Sequence, residues 1–111
     1  MRVTRLADLA DLFGGEYVLG KEDLGTEGLY LVFGRLGPGE HDRLVLPGEG
    51  FEEIFCCVDG SLVFQTRTRE VVLEPGHAVS LRNLESGLVS NPTGRTVTYI
   101  IAGSPGIRHC S

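Results

Sequence analysis

The 111-residue chain is the size of one domain and long enough to build a hydrophobic core without disulfide or metal staples. Its net charge of −5, with no run of Lys or Arg, disfavours nucleic acid as a partner, because a phosphate-binding face needs clustered cations. No apolar stretch reaches the roughly 18 residues of a membrane span, and the opening MRVTRLADLADLF carries Asp8 and Asp11 inside its apolar pattern, unlike a secretory leader.

Thr4 to Phe13 reads as one short helix: Thr4 is the candidate N-cap, Leu6, Leu9, Ala10 and Phe13 share a face, and Gly14-Gly15 ends it. From Tyr17 onward the pattern changes to strands separated by turns. Glycine supplies 16 of the 111 residues without a period, which predicts many tight turns and many short strands. The predicted strands are Leu29–Arg35, ending at Gly37-Pro38-Gly39, then Glu53–Val58 and Ser61–Thr68. Glu70–Leu73 follows, ending at Pro75-Gly76, then Ala78–Leu81, Leu88–Asn91 and the β-branched run Thr96–Ala102. Asp59-Gly60 between two apolar runs predicts a type I′ hairpin. The tail from Gly103 to Ser111 reads as a loop or an extra edge segment. IFCCV and VTYII are apolar on both faces, which fits a two-sheet sandwich or barrel with an outer face buried in a homodimer. One domain is expected over 1–111. Cys56, Cys57 and Cys110 make a poor disulfide framework, so they read as reduced thiols of a cytoplasmic protein.

The stretch GPGEHDRLVLPGEGFEEIFCCVDGSLVF resembles the first motif of the cupins, and LEPGHAVSLRNLESGLVSNPTGRTVTYIIA resembles the second. The markers come in order over residues 37–102: Pro38-Gly39, Glu52-Glu53-Ile54-Phe55, Val58-Asp59-Gly60, Pro75-Gly76 and Asn91. The resemblance implies an all-β double-stranded β-helix, the jelly-roll or cupin barrel, here with a short N-terminal helix.

Metal-binding cupins hold their ion with an H-x-H pair, a Glu and a third His. Glu53, seven residues before Gly60, matches the Glu. The His pair falls on Leu46 and Gly48 or, with a longer loop, on Leu44 and Leu46; the third His falls on Gly87, twelve residues after Pro75. One carboxylate cannot hold a transition metal against water, so no metal and no cofactor are expected. The expected consequence is a more apolar, roomier interior that takes a small organic molecule. His41, His77 and His109 read as surface residues.

Strand alternation puts Glu53, Phe55 and Cys57 on one face, and Gly87, Val89 and Asn91 on another. With Asp59-Gly60 as a two-residue turn, Val58 pairs with Ser61 and Glu53 with Thr66, so Leu62, Phe64 and Thr66 also face inward. Arg43 and Arg82 are placed near the mouth, where they would meet an anionic group. Glu53 is the pivotal residue, either contacting the ligand and moving protons or satisfied by Thr66 or a water. The expected ligand-binding set is Glu53, Phe55, Cys57, Phe64, Thr66, Arg43, Arg82 and Asn91. The expected function is metal-free binding of a small molecule, in a sensory or accessory role. The alternative is an isomerase, epimerase or lyase with Glu53 as base, without the His-Asp pair of sugar epimerases, or a metal enzyme joining Glu53 to His41 or His77.

Overall fold

The computed structural model describes residues 1–82 and 84–105. His109 and Cys110, and all of the tail beyond residue 105, lie outside the described residues. The chain begins with helix α1 (Leu6–Leu12), strand β1 (Glu16–Leu19) and a single helical turn, α2 (Lys21–Leu24). Eight strands follow: β2 (Tyr30–Leu36), β3 (Arg43–Val45), β4 (Phe51–Asp59), β5 (Leu62–Gln65), β6 (Glu70–Leu73), β7 (Ala78–Arg82), β8 (Gly87–Ser90) and β9 (Val97–Pro105). They form a five-stranded sheet in the order β1-β2-β9-β4-β7 and a four-stranded sheet in the order β3-β8-β5-β6. Every ladder among them is antiparallel. This is the expected jelly roll.

The core lies between the sheets and follows strict alternation. Phe55 and Cys57 of β4, Leu62 and Phe64 of β5, Val89 of β8 and Val97, Tyr99 and Ile101 of β9 are buried. Their neighbours Ile54 and Val58 are exposed. The inner-face assignments made from sequence therefore hold.

The pairing behind them does not. β4 pairs with β7 and β9, whereas β5 pairs with β6 and β8. Asp59-Gly60 is not a hairpin turn, so neither Val58–Ser61 nor Glu53–Thr66 is a pair. Only Gly60 takes a positive φ, of 81°, where a type I′ turn needs two such residues. A bulge between Cys57 and Asp59 bends β4 at this point, and the chain crosses to the other sheet. The alternation survives because β4 and β5, though in different sheets, both face the shared core, β4 with its odd-numbered residues and β5 with its even-numbered ones.

At the N-terminus, Arg5 rather than Thr4 occupies the cap, without a side-chain hydrogen bond. Phe13 packs beside Tyr17, with ring centroids 5.5 Å apart, and is largely exposed. The expected loop at Gly103 is instead the continuation of β9.

Three glycines serve close packing rather than turns. Gly34 and Gly103 inside their strands and Gly87 at the start of β8 lie on the inner face, and a Cβ on any of them would overlap an aromatic ring: Tyr99, Tyr30 and Phe64 respectively. Phe64 meets Phe55 edge-on at 5.2 Å, and Phe55 stacks on Tyr99 at 4.7 Å. The barrel is filled by this aromatic column.

Candidate functional site

Register places Tyr30, Gly103, Glu53 and Leu81 in one row across β2, β9, β4 and β7. Tyr30 lies over Gly103 and its hydroxyl donates to Glu53 Oε2. Glu53 is only 8% exposed, and this phenol, not Thr66, satisfies its carboxylate. Burial and then the bond to Glu53 raise the Tyr30 pKa far above that of an ordinary tyrosine. The phenol keeps its proton, so it remains a donor.

A second tyrosine repeats the arrangement. Tyr99 lies over Gly34, and its hydroxyl donates to Glu16 of β1. Arg43 Nη1 donates to that same hydroxyl at 3.0 Å and to the Gly15 carbonyl at 3.3 Å, while its Nη2 donates to Glu40 at 3.0 Å. The guanidinium is thus tied to Tyr99, Gly15 and Glu40 of the protein itself. Arg43 is therefore not an anion receptor at a mouth.

Other expected ligand contacts are structural as well. The Asn91 amide donates to the carbonyls of Leu36, Gly37 and Arg95 at 3.0, 3.0 and 2.6 Å, and its oxygen accepts from Thr93. It pins two loops and has nothing left for a ligand. Cys57 is fully buried and donates to the Gly60 carbonyl at 3.1 Å; burial pushes its thiol up to about 11, so it is no nucleophile. Phe55 is fully buried in the aromatic column. Arg82 projects from the outer face, 78% exposed, 4.0 Å from Glu52. Thr66 closes its own turn, accepting from Arg69 N at 3.1 Å and donating to Arg69 O at 3.3 Å.

The positions compared with metal ligands also move. Leu44 and Leu46 are 59% and 47% exposed, and Gly48 is exposed too. Val45 and Pro47 are the buried residues of this segment. Leu44, Leu46 and Gly48 therefore do not face the barrel interior. At Gly87 the Phe64 ring occupies the space an imidazole would need. The interior is not roomier, because aromatic rings refill it. Among the described residues, no three His, Cys, Asp or Glu side chains come together. His41 is exposed beside Asp42, and exposed His77 accepts from Glu74 N at 3.1 Å through Nδ1. The donor set around Glu53 does not fit a metal.

Open space lies elsewhere. β6 and β7 are consecutive but unpaired, joined by the turn at Pro75-Gly76, and the sheets separate between them. The resulting cleft has a volume of about 400 Å³, with Phe64, Val71 and Leu73 on one wall, Ala78 and Val79 on the other, and Thr66 and Arg69 at its rim. A second lobe of about 490 Å³ shares Thr66, Arg69, Val79 and Ser80 and extends to Leu81, Leu84 and Glu85. Leu81 pairs with Glu53, so the lobe wall adjoins the buried carboxylate. Another trough, on the outer face, is lined by Glu52, Glu53, Ile54, Ser80, Arg82 and Ala102, so Glu53 and Arg82 of the expected set border it.

Of the expected ligand set, only Phe64 and Thr66 line this cleft. Tyr30, Arg69, Val71 and Val79 were not anticipated. The alternation Arg69, Val71, Leu73 was the available signal for the cleft wall. Nothing in the sequence pairs Tyr30 with Glu53, because that contact crosses β9.

The sequence matches no protein-family model and no curated protein. Solved structures do match. A Cupin 2 conserved barrel domain protein from Salinispora arenicola superposes with a TM-score of 0.73 at 15% identity, covering 94% of this chain and 88% of that one. A protein described as a predicted oxalate decarboxylase from Thermotoga maritima gives 0.71 at 20% identity, covering 94% and 99%. A cupin-superfamily sugar phosphate isomerase from Silicibacter pomeroyi gives 0.67 at 20% identity, covering 94% and 66%.

Proposed function

We propose that this cupin-fold chain binds a small organic molecule, without a metal, in the cleft between β6 and β7. The observation that carries this reading is the cleft itself. It is concave and apolar at its floor, it has polar groups at its rim, and it falls within the volume range of small-molecule sites. The donor set supports the metal-free part, since Glu53 has Tyr30 for a partner and, among the described residues, no metal-holding group of His, Cys, Asp or Glu includes it. The role is sensory or accessory. Helices give no membrane anchor, because none among the described residues is long and apolar enough to cross a bilayer. Free Cys56 and Cys57 support a reducing, cytoplasmic setting.

A thermal-shift screen of metabolites tests the reading, since a ligand that binds only the folded state raises the melting temperature. Val79→Trp, which fills the cleft, should abolish any shift found while leaving a cooperative transition. Retention of the full shift by Val79→Trp would move the site elsewhere.

The buried Tyr30–Glu53 pair favours a second reading, an acid–base enzyme acting from the lobe wall. Neighbours named as a decarboxylase and an isomerase support the view that this fold accommodates catalysis. Full turnover of an identified substrate by Glu53→Gln would remove this reading. We also take the outer face of β9 and β4, where Ile54 and Ala102 are exposed beside half-buried Cys56 and Ile100, as a homodimer contact. A single-chain mass by light scattering at micromolar concentration counts against it.

A further inference from the structure

The turn between β5 and β6 is closed on itself. Thr66 N donates to Arg69 O at 2.7 Å, and Thr66 Oγ1 accepts from the amides of Thr68 and Arg69. These backbone and hydroxyl groups are therefore spent within the turn. The guanidinium groups of Arg67 and Arg69 are left as its free chemistry. Arg69, exposed in the turn just before β6, lines both lobes of the cleft. Arg67 lines the second lobe.

Lys21, Arg35, Arg43 and Arg82 each lie within 4.0 Å of a carboxylate; among the described residues Arg67 and Arg69, like Arg2, Arg5 and Arg95, have no such partner, but only Arg67 and Arg69 line the cleft. Glu85, on the same lobe, directs Oε1 to the amide of Arg82 at 2.9 Å. Two cations thus stand at the mouth of an apolar cleft in a protein whose net charge is −5. Ser80 and Ser86 line the same lobe.

We propose that the cleft takes an amphipathic acid, a molecule with an apolar body and a carboxylate or phosphate head. This rests on the reading of the cleft as a ligand site. The body lies against Phe64, Val71, Leu73 and Val79. The head meets Arg69 and Arg67, whose forked donors match either anion. Carboxylate and phosphate share this chemistry, so the head is identified by comparing the two.

Octanoate, octyl phosphate and 1-octanol carry the same tail with different heads, and calorimetric titration of each into the purified chain tests the proposal. At least one acid should bind, and octanol should bind about tenfold more weakly or worse, the usual worth of a charge-assisted hydrogen bond. Arg69→Gln should weaken the acid by about tenfold and leave octanol unchanged. The tighter of the two acids names the head. Equal binding of octanol and both acids, or an Arg69→Gln variant that binds as the parent does, overturns the anionic head while leaving the cleft reading standing. Absence of binding by all three up to about 10 mM, a strength weaker than useful recognition, overturns both. Retention of acid binding by Val79→Trp would show the acid to be held by surface charge alone and overturn the proposal.

Discussion

Replacing Gly87 by alanine adds one methyl group at the point where the Phe64 ring rests on β8. The new Cβ would come within 3.0 Å of ring carbons of Phe64, closer than real Cβ contacts run. The ring cannot swing away freely, because Phe55 holds it edge-on at 5.2 Å and is itself stacked on Tyr99 at 4.7 Å. Overpacking of this kind costs about 1–3 kcal/mol. Against that, alanine restricts the unfolded chain and returns about 0.4–1 kcal/mol. The net expectation is a loss of about 1–2 kcal/mol, or a melting temperature lower by roughly 4–8 °C for a domain of this size. The assay is urea unfolding of four proteins: the parent, Gly87→Ala, Phe64→Leu and the double variant. If the ring is the obstacle, leucine makes room and Gly87→Ala costs much less in the Phe64→Leu background. A neutral or stabilising Gly87→Ala, or the same cost in both backgrounds, would refute the argument.

Tyr30→Phe removes the donor to Glu53 and leaves a buried carboxylate short of a partner, so stability should fall by about 1–3 kcal/mol in urea unfolding near neutral pH. Burial raises the pKa of Tyr30 and of Tyr99 in the folded state. Above about pH 10 the unfolded chain releases those protons while the folded chain keeps them, so stability is full below that value and falls as pH climbs. The slope of the urea midpoint against pH above 10 should be shallower in Tyr30→Phe, and an unchanged slope would count against the assignment. Asn91→Asp sets a carboxylate against three carbonyl oxygens and should cost about 3 kcal/mol or more, read in the same assay. Cys57 should resist a thiol reagent at pH 8 until the protein unfolds, whereas half-buried Cys56 reacts earlier, as peptide mass mapping would show.

The core was legible because alternation is a local property. Phe55, Cys57, Phe64 and Val89 could be placed inward without knowing which strands pair. Pairing was not legible. Asp59-Gly60 carries a hairpin signature, yet the bulge after Cys57 sends the next strand to the other sheet. The three-residue strand β3 was too short for any pattern, so the outward orientation of Leu44 and Leu46 stayed hidden. Strand glycines and turn glycines look alike in a sequence, so the rings over Gly34, Gly87 and Gly103 stayed hidden and the interior was expected to be hollow. Arg43 appeared free because two of its partners, Gly15 and Tyr99, lie far from it in the sequence.

β9 is the last strand in the described chain, yet it lies third in its five-stranded sheet, between β2 and β4. A ribosome makes its neighbours first. Until residues 97–105 emerge, β2 and β4 have no partner for the edges that will flank β9, and Phe55 lacks the Tyr99 ring that covers it. Nascent chains that stall before Val97 should therefore expose two sticky edges and seek chaperones or one another. Completion of this sheet waits for β9 to be made, and its timing is set by how quickly that strand finds the gap left for it.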